Sequence, residues 1–125
     1  MSVRIDNTLV DQVVNRQFQP TPETGSLAAV AQTVSTITAG FRHVVFALSG
    51  TFASCDHTFE VSYDGGTTWF AVAVTNLATG ATVATTGAIS AQALYRLDTA
   101  GAPQARVRMT ARTSGTVNVT IQRMT

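Results

Sequence analysis

The stretch Thr58–Val74, which reads TFEVSYDGGTTWFAVAV, restricts the possible folds of this chain most strongly. Apolar and polar residues alternate from Thr58 to Tyr63 with the two-residue period of a half-buried strand. The triplet Asp64–Gly66 follows, and Asp and Gly accept the backbone conformations that reverse a chain. A segment rich in aromatic and β-branched residues then restarts near Thr67. The stretch therefore predicts a β-hairpin inside a packed sheet.

The chain from residue 27 onward repeats short strand-like segments separated by turns. Asn76–Ser90 is poor in charge and is either a long loop or a loop with one short strand near residues 81–85. The last two strands flank a turn at Thr113–Gly115, and we expect them to form a second hairpin. Besides the central hairpin, the predicted strands are Ala29–Thr38, Phe41–Leu48, Ala93–Leu97, Ala105–Arg112 and Thr116–Met124.

Seven or eight strands at this spacing are typical of an all-β, antiparallel β-sandwich with jelly-roll-like connections. Two sheets would close over the inward-facing apolar residues, and burial of each large side chain contributes roughly 1.5–3 kcal/mol. The predicted core consists of Phe46, Phe59, Val61, Tyr63, Phe70, Val72, Leu94, Val107, Met109, Val119 and Ile121.

The N-terminal residues 1–26 differ from the sandwich domain predicted for residues 27–125. We interpret them as an extended arm and a linker, in which Pro20 and Pro22 favour extended backbone. An amphipathic helix over Leu9–Phe18 and an edge strand of the sandwich remain alternatives. The apolar residues of the arm are the first predicted partner-binding set, because they are too apolar for a solvated tail: Val3, Ile5, Leu9, Val10, Val13, Val14 and Phe18.

The composition excludes several classes of protein. The net charge is only +1, which gives no electrostatic attraction to nucleic acid or to a membrane surface. No apolar run approaches the roughly 20 residues of a membrane span, and no signal-peptide layout is present. Lysine is absent and 12% of residues are charged, which indicates either a surface that contacts other protein or a coding bias toward Ala, Arg, Gly and Thr.

The candidate catalytic and metal-binding groups do not form a convincing constellation. Cys55 and His57 share a strand face, but a metal site needs three or four ligands, so we favour a buried cysteine beside an exposed histidine. Glu60, Asp64 and Asp98 lack the spacing of a carboxylate pair or of a calcium loop. We therefore predict no enzyme activity, no catalytic residue, no cofactor and no metal.

Two further features of the sequence suggest binding, one of a protein partner and one of a ligand. Arg106, Arg108 and Arg112 alternate along one strand and are the second predicted partner-binding set, because a row of like charges needs carboxylates, aromatic rings or carbonyl groups nearby. Glu60, Asp64 and Asp98 are candidate partners within the chain, and a solvated face is the alternative. Trp69 is a candidate for stacking on a ligand, which favours a carbohydrate-binding module as another hypothesis.

Two segments of the chain resemble small virion structural proteins of tailed bacteriophages. They are FEVSYDGGTTWFAV, residues 59–72, and YRLDTAGAPQARVRMTARTSGTVNVTI, residues 95–121, and together they cover about a third of the chain. The resemblance implies a non-enzymatic capsid decoration or cement protein in the virion, made in the host cytoplasm. It also implies partners, namely other copies of the chain, with a trimer expected, and the major capsid protein or another virion protein. A neck, tail or fibre-base protein is the alternative.

Overall fold

The structure, a computed structural model, describes residues 20–125, and strands are the regular elements of that part of the chain. Successive side chains of a strand point to opposite faces, as in His43–Ser49, where every second side chain is buried. In chain order the strands are β1 (Glu23–Leu27), β2 (Thr33–Ile37), β3 (His43–Ser49), β4 (Phe52–Ala53), β5 (Asp56–Ser62), β6 (Phe70–Val72), β7 (Val74–Asn76), β8 (Thr82–Val83), β9 (Ala93–Asp98), β10 (Gln104–Ala111), β11 (Ser114–Gly115) and β12 (Val117–Met124).

The strands form two main antiparallel sheets. The six-stranded sheet has the order β1-β12-β3-β9-β7-β8, and the four-stranded sheet has the order β2-β10-β5-β6. Strands β11 and β4 make a small third ladder. The chain crosses repeatedly between the two main sheets, for example from β2 to β3 and from β9 to β10. The predicted all-β antiparallel sandwich with jelly-roll-like connections is confirmed.

Aromatic side chains join the two sheets at the centre of the core. Phe59 of the four-stranded sheet lies 5.1 Å from Phe46 and 5.3 Å from Tyr95, measured between ring centroids. Both partners belong to the six-stranded sheet, and all three rings are buried. Tilted ring pairs at this separation add to the free energy gained from burial. Most of the predicted core residues are buried around them.

The predicted central hairpin is confirmed by the pairing of β5 with β6. Phe59 lies opposite Val72, and Val61 lies opposite Phe70. Strand β6 begins at Phe70, later than the restart predicted near Thr67, because Asp64 organises a longer turn. The hairpin therefore has a seven-residue first strand and a three-residue second strand.

Three predicted core residues are wrong, because Tyr63, Phe70 and Leu94 are 53%, 54% and 46% exposed. Tyr63 follows the end of β5, where its hydroxyl donates to the carbonyl of Ala100. Phe70 lies on the same face as buried Val61, but β6 is the edge strand of its sheet, so the core does not extend over the ring. Leu94 alternates with Tyr95, and the larger Tyr95 takes the inward position.

The predicted second hairpin is also wrong. Strand β10 pairs with β2 and β5, whereas β12 pairs with β1 and β3, so the two strands lie in different sheets. The expected turn at Thr113–Gly115 contains β11 and carries the chain from one sheet to the other. A register shift between Met109 and Ala111 also leaves Ala111 exposed, although it was expected to face inward.

The predicted linker is wrong at Glu23–Ser26, since these residues belong to β1 and pair with β12. The Glu23 carboxylate accepts from the Thr36 hydroxyl and lies 3.3 Å from Nη2 of Arg123, which fixes the start of the strand. The predicted arm residues Val3, Ile5, Leu9, Val10, Val13, Val14 and Phe18 lie outside the described residues, so the division into arm and sandwich stays a prediction.

Within residues 20–125 there is no helix of the length and hydropathy that crossing a membrane requires.

Candidate functional site

The outer face of the four-stranded sheet, here called the charged face, carries an internal ion cluster. Arg106 lies opposite Glu60 in the register of β10 and β5, and Arg108 lies two residues farther along β10. One oxygen of Glu60, Oε1, accepts from Nε of Arg106 at 2.8 Å and from Nε of Arg108 at 3.3 Å. The Glu60 side chain is 9% exposed, against 20% and 35% for the two arginines. Of the three candidate carboxylates, Glu60 therefore pairs with two of the three arginines, and the binding of a partner to this face stays a prediction.

Trp69 extends this cluster toward the edge of the sheet. The Arg106 guanidinium lies 4.1 Å from the centroid of the Trp69 ring, and the indole Nε1 donates to the carbonyl of Gly66 at 2.9 Å. A guanidinium at this distance from a ring is a cation–π contact. The ring face toward Arg106 is therefore occupied, so the predicted stacking of a ligand on Trp69 has at most the other face.

Arg112 does not join this cluster. It follows the end of β10, and its Nε donates to the carbonyl of Gly115 at 2.9 Å. The structure thus brings together Arg106, Arg108 and Trp69 and leaves Arg112 at the corner between the sheets. An arginine has five N–H donors, so both Arg106 and Arg108 keep four beyond the bonds that Glu60 accepts.

His57 is buried, not exposed as predicted. It is on the inward face of β5 and 0% exposed, and its Nδ1 lies 3.2 Å from the Thr86 hydroxyl. Burial lowers the pKa of His57 to about 4, and the nearby Asp56 carboxylate opposes this shift. The ring is therefore neutral near pH 7, and its Nε2 is buried without a hydrogen-bond partner among residues 20–125.

Cys55 is buried, as expected, and its thiol contacts backbone carbonyl groups of Ala53 and Ser114. A nucleophilic thiol is a thiolate near an electropositive group and open to solvent, and Cys55 does not meet this description. No three His, Cys, Asp or Glu side chains in the described part of the chain gather as metal ligands would.

Asp64 has a structural role in the turn of the central hairpin. Its Oδ1 accepts from the backbone N–H groups of Thr68 and Thr67 and from the Ser62 hydroxyl. These hydrogen bonds, with that from Thr68 the strongest, lower the pKa of Asp64 to about 2. Glu60 is held by two arginines on the sheet, so these two carboxylates do not face each other as a catalytic pair would.

An apolar groove, missed by the sequence analysis, lies on the outer side of the six-stranded sheet and has a volume of about 430 Å³. Leu94 and Leu77 are its large exposed residues, and Leu77 N–H donates to the carbonyl of Leu94 at 3.0 Å. Leu94 lies on the same face of β9 as the charged Arg96, and this shared face could have shown from the sequence that Leu94 is exposed. The groove is lined by Ala47, Leu48, Ser49, Leu77, Ala78, Gln92, Ala93 and Leu94.

Several solved structures resemble this chain, and two of them superpose with TM-scores above 0.5. The SPBc2 prophage-derived protein YomS superposes with a TM-score of 0.67 at 19% identity, over 84% of this chain and 96% of YomS. The PBSX exported protein XepA superposes with a TM-score of 0.66 at 14% identity, over 84% of this chain, which spans only 39% of XepA. No protein-family model and no curated protein matches the sequence. The likeness therefore establishes the sandwich fold.

Proposed function

We propose that this protein is a non-enzymatic structural component of a tailed-phage particle. More specifically, we propose a capsid decoration or cement protein that binds the head lattice and associates with itself. The observation that carries the proposal is the match of the sandwich to nearly the whole length, 96%, of the prophage-derived protein YomS. The sequence resemblance to small virion proteins, which involves the same β5–β6 hairpin, supports it independently.

The charged face is the surface that we assign to the head lattice. Its two arginines are held in position by Glu60 and Trp69, so little side-chain entropy is lost when a partner binds. The donors left over suit carboxylates or backbone carbonyl groups on the major capsid protein or another virion protein. Arg112 lies at the corner of the sandwich and would contact the rim of such an interface.

A repeating head lattice would allow many copies of the protein to attach firmly even if each single contact is weak. Each copy of the protein meets a repeating surface, and copies that also bind one another attach through several sites at once. Linked sites raise the effective concentration of each further contact, so overall binding exceeds that of any single site. A homotrimer is the arrangement we propose, which follows from the family resemblance, and the location we propose is the virion, after synthesis in the host cytoplasm.

The test is to count the chain in separated parts of the particle. Particles of the phage that encodes the chain are resolved into heads and tails on a density gradient, and quantitative mass spectrometry measures copies per part. We expect many copies per head and few per tail. Recovery with tails alone would replace head decoration by a neck, tail or fibre-base position. Absence from every part of the particle would overturn the proposal.

A matched pair of variants tests the surface. Purified Arg106→Ala and Arg112→Ala proteins are mixed with heads that lack the chain, and binding is followed by co-sedimentation. We expect at least a tenfold weaker binding for Arg106→Ala and a smaller change for Arg112→Ala. Equal binding by both variants and by the unchanged protein would exclude the charged face as the contact.

A further inference from the structure

The apolar groove is an unusual feature on the outer side of a sheet. None of its eight lining residues carries a charge, and Leu94 and Leu77 are 46% and 38% exposed. Its volume of about 430 Å³ falls in the range of ligand pockets, roughly 300–1,000 Å³. Contiguous exposed apolar surface is one mark of an interaction site. The groove therefore suits an occupant with apolar side chains.

The chain itself contains a suitable segment outside the described residues. Residues 9–18 read LVDQVVNRQF and hold five apolar residues among ten. The segment carries one acidic and one basic residue, Asp11 and Arg16, so its net charge matches an uncharged groove. It joins the sandwich at Pro20, only two residues after Phe18.

The direction in which the described chain leads toward this segment is fixed. The carbonyl of Pro20 accepts from Nε2 of Gln122 at 3.1 Å, and Gln122 lies opposite Val45 in the six-stranded sheet. Traced back from Glu23, the chain runs along β12 toward Met124, which pairs with His43 at the start of β3. Pro22 and Pro20 favour continued extended backbone.

The groove lies at the opposite end of the same sheet, where Leu48 and Ser49 end β3. Four to six residues of strand separate the two ends, which is roughly 13–20 Å. The groove also lies two strands across from β1 in the order β1-β12-β3-β9. At Pro20 the described chain therefore points away from its own groove, which favours the groove of a second copy as the site for the preceding segment.

We propose that residues 9–18 of a second copy of this chain bind in the apolar groove. The contact is reciprocal in a closed oligomer, since each copy offers one groove and one segment. This inference rests on the self-association in the proposed function and names the surfaces that carry it. Leu94 and Leu77 form the floor of the site, and Val13, Val14 and Phe18 are the side chains that fill it.

Cysteine cross-linking in the full chain tests the proposal and its source. Val14→Cys protein and Leu94→Cys protein, made separately with different affinity tags, are mixed and oxidised mildly. A disulfide needs Cα atoms within roughly 7 Å, and the native Cys55 is 0% exposed. Exchange between copies predicts a covalent heterodimer that carries both tags. In the matched control, Val30→Cys protein takes the place of Leu94→Cys protein. Val30 is 56% exposed but lies outside the groove.

Each outcome is decisive. A heterodimer with Leu94→Cys at several times the yield of the Val30→Cys control supports the proposal. A third protein carries Val14→Cys and Leu94→Cys in one chain. If only this protein forms a disulfide, and does so within one chain, the segment binds its own groove and the proposal is overturned. Absence of both the heterodimer and the internal disulfide also overturns it. Circular dichroism and thermal melting of each variant exclude misfolding as the cause of a negative result.

The experiment also separates this inference from the proposed function. Copies counted on heads without any heterodimer would leave head decoration in place and overturn the groove contact. A heterodimer from a chain that is absent from particles would keep the groove contact and overturn the role in the virion.

Discussion

The two outer faces of the sandwich differ in whether their side chains find partners within the described residues. The charged face of the four-stranded sheet places Glu60 beside two arginines, which share its carboxylate and keep further N–H donors. The outer face of the six-stranded sheet carries small uncharged residues near its centre, such as Thr120 opposite Ala47, beside the exposed Arg96 and Asp98 of β9, and it includes the apolar groove. The charged groups of the first face have partners within the described residues, although Ile37 is exposed there, whereas the second face holds the apolar groove.

This difference indicates which face contributes more to folding stability and which face contributes to self-association. Removal of a partner from the charged face leaves a partly buried charge alone, which costs folding free energy. Changes on the outer face of the six-stranded sheet remove side chains that contribute little to the folded monomer, so they should act on binding. The following predictions test this contrast.

Glu60→Ala has the largest expected effect, a loss of about 2–3 kcal/mol in the free energy of unfolding. Both arginines would lose their carboxylate while Arg106 remains four-fifths buried. Urea denaturation of Glu60→Ala, with Thr120→Ala as the control on the other face, measures the difference. A loss below about 0.5 kcal/mol, the ordinary scale of surface substitutions, would show that the ion cluster adds nothing to stability.

Acidification gives the next largest expected effect on the free energy of unfolding. This effect comes from His57 in the core and not from either outer face. The pKa of His57 is lowered to about 4 in the folded state, so the unfolded chain binds more protons between that value and about 6.5. The His57 contribution should therefore lower stability by roughly 1–3 kcal/mol as the pH drops from 6.5 to 4, and this contribution levels off at lower pH.

Denaturation of the unchanged protein and of His57→Gln across this pH range checks the assignment. The substitution removes the only group to which we attribute the loss, so its stability curve should be flatter. Identical pH dependence in the two proteins would assign the effect to other groups.

Arg106→Ala should cost about 1–2 kcal/mol, because it removes both the ion pair with Glu60 and the cation–π contact with Trp69. Arg112→Ala is the matched control, since that exposed arginine bonds a backbone carbonyl at the corner, and we expect a change within about 0.5 kcal/mol. Chemical denaturation of both variants compares them. A larger loss in Arg112→Ala would reverse our ranking of the two residues.

Much of the fold follows from alternation alone, because alternation determines which side of a strand is buried. It placed Val107 and Met109 of β10 and Val119 and Ile121 of β12 in the core and identified the β5–β6 hairpin. Alternation does not specify a strand's neighbour, however. Strands β10 and β12 bury one face each whether they form a hairpin or belong to opposite sheets, so their pairing was wrongly predicted.

The candidate site was predictable where the residues share one strand. Arg106 and Arg108 follow from the strand period of β10, whereas Glu60 lies on β5 and was one of three candidate carboxylates until the structure supplied the pairing. The apolar groove was not predictable to the same extent. Leu77 follows β7 in a stretch rich in Thr and Ala, and only the three-dimensional course of that loop places it beside Leu94.

Leu94→Ser has the smallest expected effect on folding, a change within about 0.5 kcal/mol in the free energy of unfolding of dilute protein. The side chain is 46% exposed and lies outside the core. Urea denaturation measures it beside Leu97→Ser, whose side chain is fully buried and whose loss should be several kcal/mol. A loss in Leu94→Ser comparable to that in Leu97→Ser would mean that Leu94 is part of the core.

Sedimentation equilibrium of the full chain tests most directly whether this protein acts by binding to copies of itself through the apolar groove. The unchanged protein should sediment as a closed oligomer, and Leu94→Asp should sediment as a folded monomer. Monomeric unchanged protein at every concentration, or an oligomer that Leu94→Asp leaves intact, would contradict the account.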